Sequence, residues 1–82
     1  MQNPDIARVF DEVADLLEIQ DANPFRVRAY RNAARTIRDF PDPIAELVRS
    51  GAKQLTEIPG IGEDLAEKIT AIVTTGELLA QG

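Results

Sequence analysis

Leu55-Thr56-Glu57-Ile58-Pro59-Gly60-Ile61-Gly62-Glu63-Asp64-Leu65-Ala66-Glu67-Lys68-Ile69 is the stretch on which the reading of this chain turns. Pro59 fixes one backbone φ, while Gly60 and Gly62 permit positive φ and put no side chain between the main chain and an approaching group. The stretch reads as a tight hairpin joining a short helix, about 53–57, to a longer one, about 63–75 and capped by Gly76. The backbone amides of Gly60, Ile61, Gly62, Glu63 and Asp64 fall at the start of the second helix. Early-turn amides lack intrahelical acceptors, and the helix dipole adds partial positive charge there. A phosphate can reach such donors, and it suits them better than a base edge does. Leu55, Ile58, Ile61, Ala66 and Ile69 supply the apolar seam between the two helices, with Ala66 small where they cross.

Outward from the hairpin, the chain reads as helices throughout. Asn3-Pro4-Asp5 is a helix start, with Asn3 as N-cap and Pro4 at the first helical position. Ile6, Phe10, Val13 and Leu17 follow at helical spacing, with Val9 and Leu16 on the same broad face. Asp11, Glu12, Asp15 and Glu18 make the other side acidic. Asn23-Pro24 repeats the start signal for a second helix reaching Asp39, with Tyr30, Ala33, Ala34 and Ile37 on one side. At about 100° per residue, Arg28, Arg31, Arg35 and Arg38 lie within an arc of roughly 80° on the opposite side. Such a stripe fits two readings, a track for phosphates or a solvated face paired with the acids of the first helix. Arg26, four residues before Tyr30, stands beside the apolar side instead, where it meets either a terminal phosphate or Asp21. Phe40-Pro41-Asp42-Pro43 breaks the second helix, and a short third one carries Ile44, Leu47 and Val48 inward before ending at Gly51. Leu65, Ile69, Ile72 and Val73 are the buried positions of the last helix. No sustained alternation signals a strand. The expected fold is all-α, a small bundle of four longer helices plus a short one, as a single domain over residues 1–82 with the hairpin element at about 53–75.

Composition bounds the chemistry. The 82 residues form one small domain that buries roughly 60–65% of its unfolded surface. Without Cys or His there is no disulfide, thiolate zinc site or histidine base. No apolar run approaches the roughly 20 residues of a membrane helix, so the expectation is a cytoplasmic monomer without a membrane partner. Net charge is −5, which opposes simple electrostatic attraction to nucleic acid. The cations are nevertheless concentrated: residues 25–50 hold six Arg against three acids, whereas 1–24 hold one Arg against six acids.

The hairpin and its apolar spacing resemble the helix-hairpin-helix family of sequence-independent DNA-binding elements. The wider order of parts is similar to the N-terminal domain of family X DNA polymerases, the polymerase-beta-like group, and looks closest to the bacterial and archaeal branch. The matching stretches are Ile6-Ala7-x-x-Phe10 through Ala14-x-Leu16-Leu17-Glu18, the block Asn23-Pro24-Phe25-Arg26-x-Arg28-Ala29-Tyr30-Arg31-x-Ala33-Ala34, the hairpin itself with Ala66-Glu67-Lys68-Ile69, and Thr75-Gly76. That resemblance implies a DNA-binding domain that holds the 5′-phosphate side of gapped or nicked duplex during gap-filling base-excision repair. It also implies a separate C-terminal polymerase domain that needs Mg2+; this chain ends before any such domain and cannot polymerise alone.

Carried over residue by residue, Arg26 and Tyr30 match the family's 5′-phosphate pocket, and the amides at Gly60 and Gly62 match its phosphate contacts. The carbonyl oxygens of Thr56, Ile58 and Ile61 match a monovalent cation site, for Na+ or K+; the chain itself requires no other cofactor. Lys68 matches the lysine that forms a Schiff base with the sugar aldehyde in 5′-deoxyribose-phosphate lysis. A nucleophilic amine must be neutral, whereas Asp64 one turn earlier and Glu67 beside it favour the charged form. Lys68 therefore has two readings, lyase nucleophile or partner of Asp64 in an ion pair. A further reading of the whole chain is a protein-interaction module, whose acidic surface keeps nucleic acid away.

Overall fold

The computed structural model describes residues 1–81, apart from the side chains at 52, 53 and 77–81. Along the chain come α1 (Asn3–Ile19), α2 (Pro24–Asp39), α3 (Ile44–Ser50), a 3-10 helix (Ala52–Glu57) and α4 (Glu63–Gln81). Among the described residues there is no strand, and the fold is an all-α bundle. No helix is long and apolar enough to cross a membrane.

The pairing of α1 with α2 is the most extensive packing in the molecule. The two run antiparallel, because Asp15 and Glu18 meet Arg31 while the earlier Asp11 meets the later Arg38. Ile6, Ala7, Phe10 and Ala14 of α1 pack with Val27, Tyr30, Ala33, Ala34 and Ile37 of α2 in one core. The alanines let the helices approach closely, and the Phe10 and Tyr30 rings meet in a tilted pair with centroids 5.6 Å apart. Leu55, Ile58, Ile61, Leu65, Ala66, Ile69 and Val73 extend the same core beneath the hairpin, and Ile44 and Ala45 join it from α3.

Several expectations require correction. Asn3 is not the N-cap of α1: Gln2 takes that place, and Asp5 reaches back to accept the Gln2 amide at 3.1 Å. The Asn3 side chain instead bridges to the break between α2 and α3. It donates to the carbonyls of Phe40 and Asp42 at 3.3 and 2.9 Å and accepts the Ile44 amide at 2.8 Å. One side chain thus satisfies the first amide of α3, which its own N-cap, Pro43, cannot serve with a side chain. Asn3→Ala should cost about 1–2 kcal/mol, read as a lower thermal midpoint, because it strands these partly buried groups.

Leu16 is 57% exposed rather than core-facing, since Ala14 takes the inward position of that turn. Leu47 and Val48 are only partly buried, and Ile44 with Ala45 forms the inward face of α3. The short hairpin helix is 3-10 rather than α. Gly76 does not cap α4, which continues to Gln81. It has no positive φ, and a methyl group there would come within 2.9 Å of the Met1 sulfur, so its smallness serves packing against the N-terminus.

Candidate functional site

The hairpin begins where the Ile58 amide donates to the Leu55 carbonyl at 3.1 Å, closing the 3-10 helix. The next four residues, Ile58-Pro59-Gly60-Ile61, form a turn in which the Ile61 amide donates to the Ile58 carbonyl at 3.0 Å. Proline second and glycine third, with Gly60 at φ +88°, is the pattern of a type II turn. The Ile61 amide is therefore engaged within the chain and leaves the set of expected phosphate donors. Both isoleucines flanking the turn are buried, as are Leu55, Ala66 and Ile69 of the seam, so the turn is fixed from below.

At the start of α4 the first bond is Ala66 amide to Gly62 carbonyl at 2.9 Å, which makes Gly62 the N-cap. Among the described residues, the amides of Gly60, Gly62, Glu63, Asp64 and Leu65 make no hydrogen bond. The sequence marks Leu65 as a buried position rather than an amide donor, although its place in the first turn is signal enough for the latter. A methyl group built on Gly60 or Gly62 would meet nothing within 4 Å. Gly60 is explained by its φ; at Gly62 neither φ nor internal space requires glycine, and Gly60, Gly62, Glu63 and Asp64 are all exposed.

The side chains around these amides are acidic. Glu63 and Asp64 occupy the first turn, and Asp64 is 76% exposed. The Asp64 carboxylate is engaged by Lys68, whose Nζ donates to its Oδ1 at 2.8 Å. That hydrogen bond is the largest cause holding the Lys68 ammonium above its ordinary range; desolvation opposes it, and Tyr30 adds a lesser upward push. The structure thus brings together Asp64, Lys68 and Tyr30 from two helices.

The arginine stripe divides. Arg31 donates to Asp15 at 2.9 Å and to Glu18, which holds its guanidinium above its ordinary range, and Arg38 donates to Asp11 at 3.1 Å. These two follow the reading of a face paired with α1. Arg28 lies over the exposed Phe25 ring, 5.9 Å from its centroid. Arg26 and Arg35 are exposed and make no ion pair among the described residues, so Arg26 does not close a loop with Asp21. Asp21 instead takes the left-handed conformation, φ 58°, just after α1, and donates its amide to the Glu18 carbonyl at 3.0 Å. Tyr30, by contrast, has its ring in the core.

Among the described residues no cluster of carboxylates is suited to a metal ion. No curated protein matches this chain. The family model described as the helix-hairpin-helix domain matches residues 1–78, from before α1 to within the last turns of α4. Because that match takes in the type II turn, the helix start above it and the paired helices that support both, the chain belongs to the helix-hairpin-helix domain family.

Proposed function

We propose that this chain binds the sugar-phosphate backbone of DNA, without reading base sequence, through the hairpin and the start of α4. The observation that carries this reading is the row of unengaged amides at Gly60, Gly62, Glu63, Asp64 and Leu65, the first four of them in exposed residues. Helix-hairpin-helix domains generally bind DNA, which agrees with it. Arg26, Arg28 and Arg35 supply exposed cations on α2, and the surface pairs of Arg31 and Arg38 are weak enough to exchange for phosphate. Binding of this kind falls steeply with salt.

The resemblance to family X polymerases supports a narrower reading, in which the domain holds the 5′-phosphate end of a gap while a separate polymerase domain fills it. Arg26 is free to approach such a phosphate from the first turn of α2, one turn before Tyr30. A gapped duplex ending in 5′-phosphate should bind about threefold to tenfold more tightly than one ending in hydroxyl, the scale of one exposed charge contact. Arg26→Ala should erase most of the difference in a fluorescence anisotropy titration; equal affinity for the two ends in the unaltered chain removes the pocket.

For a monovalent cation the carbonyls of Thr56, Ile58 and Ile61 are a fitting donor set, since neutral oxygens leave the charge to be balanced by a DNA phosphate. The Ile58 oxygen already accepts the Ile61 amide and keeps a second lone pair for such an ion.

Lyase chemistry needs Lys68 neutral, and its partner Asp64 works against that. Borohydride trapping on an incised abasic substrate should therefore be slight at neutral pH and rise as pH climbs toward the elevated Lys68 value. Asp64→Asn, at saturating protein, should increase trapping several-fold at about pH 7 by removing the main cause of the elevation. Trapping that persists in Lys68→Ala assigns the chemistry to another amine.

A further inference from the structure

We infer that Lys68 is a positioning residue that holds the Asp64 carboxylate back from the open amides of α4, keeping them available to phosphate. This rests on the reading of the hairpin as a phosphate site. An acid in the first turn of a helix is attracted to the same amides and dipole that would attract an external anion. α1 shows such an attraction at the neighbouring register: Asp5, third in its helix, turns back and accepts the amide of the N-cap Gln2 at 3.1 Å. α4 also begins with acids, yet Asp64 accepts no amide among the described residues and points one turn onward to Lys68 at 2.8 Å. Lys68 is the sole basic residue of α4.

The pair is exposed, with side chains 76% and 39% accessible, so its value to the fold is small. Its geometry is nevertheless well supported. The Lys68 ammonium donates to the Asp64 carboxylate across one helical turn, and Tyr30 is the other side chain that acts on it. Tyr30 is itself fixed by the core, against Phe10. Lys68 stands one turn after Asp64, so the pair draws the carboxylate to the side that faces down the helix. Without that tether the Asp64 carboxylate, second in its helix where Asp5 is third, is released toward the amides and dipole of its own helix start.

Two measurements test this on the 82-residue chain. In DNA-free protein, Lys68→Met should shift the amide proton resonances of Gly62, Glu63 and Asp64 and slow their exchange, while Lys68→Arg, which preserves the tether, should leave them near their original positions. Unmoved resonances in Lys68→Met overturn the inference whatever the DNA result. In anisotropy titrations with a gapped duplex bearing a 5′-phosphate, Lys68→Met should weaken binding about tenfold in the unaltered background but only about threefold beside Asp64→Ala, where just the long-range loss of one charge remains. A direct contact between Lys68 and DNA gives the opposite sign, because removing Asp64 frees the ammonium to reach phosphate. An equal or larger loss in the Asp64→Ala background thus overturns the tether while leaving the hairpin site standing. Absence of DNA binding by the unaltered chain overturns the site and, with it, the functional role of the tether.

Discussion

Gly62→Val should reduce affinity for gapped duplex DNA by more than about tenfold, equivalent to about 1.4 kcal/mol, while the helical circular dichroism spectrum stays that of the parent. The asymmetry follows from where Gly62 stands. Beyond Gly62 and its two chain neighbours, no atom lies within 4 Å of the position a Cβ would take, and φ is not in the left-handed region, so valine meets no internal obstacle. The fold loses only about 1 kcal/mol or less, from a poorer N-cap residue. On the outer side the branched side chain stands beside the free amides of Gly62, Glu63 and Asp64 and keeps phosphate oxygens beyond hydrogen-bond distance. Gly60→Ala is less informative because φ there is +88°, and the strain of a side chain would lower stability and binding together. Undiminished binding by a folded Gly62→Val protein would take the hairpin out of the DNA interface.

The turn itself illustrates how far local sequence reaches. Pro59-Gly60 specifies a type II turn, and such a turn is closed by the amide of its fourth residue; the engagement of Ile61 was therefore legible in the same dipeptide that marked the hairpin. That internal bond separates the Ile61 amide from the other early amides of the hairpin. Asn3 and Asn23 show the limit more sharply. Both precede proline, and both carry the same local cap signal. Asn23 does cap α2, accepting the Phe25 amide at 2.9 Å, because nothing else competes for it. Asn3 is drawn to carbonyls and an amide 37 to 41 residues away, where a proline at the start of α3 leaves an amide unserved by its own N-cap side chain.

The core was legible for a different reason. Helical periodicity reports the inward face irrespective of partner, and Ile6, Phe10, Tyr30, Ile37 and Ile69 are all buried as their spacing requires. The arginine stripe was equally regular, but which arginines remain free depends on how α2 lies against α1. Arg31 and Arg38 face its acidic edge and Arg35 does not. The pairing of Lys68 with Asp64 was local and readable at spacing of four, whereas the contribution of Tyr30 came only from the meeting of α2 and α4.

Phe10→Ala should destabilise the fold by about 3–5 kcal/mol, the range for deleting a buried aromatic ring. Phe10 is 1% exposed and packs on Tyr30 in the middle of the α1 and α2 pair. A chain of 82 residues has a total stability on the order of 4–12 kcal/mol, so the loss is a large part of the whole. Neighbouring alanines Ala7, Ala14, Ala33 and Ala34 cannot extend into the space, which leaves a cavity rather than a repacked core. The measurement is urea denaturation followed by circular dichroism, read as a fall in the midpoint at unchanged slope. The same substitution removes the ring against which Tyr30 packs. A loss of under about 1 kcal/mol would mean that the ring is replaceable by collapse of the helices, and that the support for Tyr30 comes from elsewhere in the core.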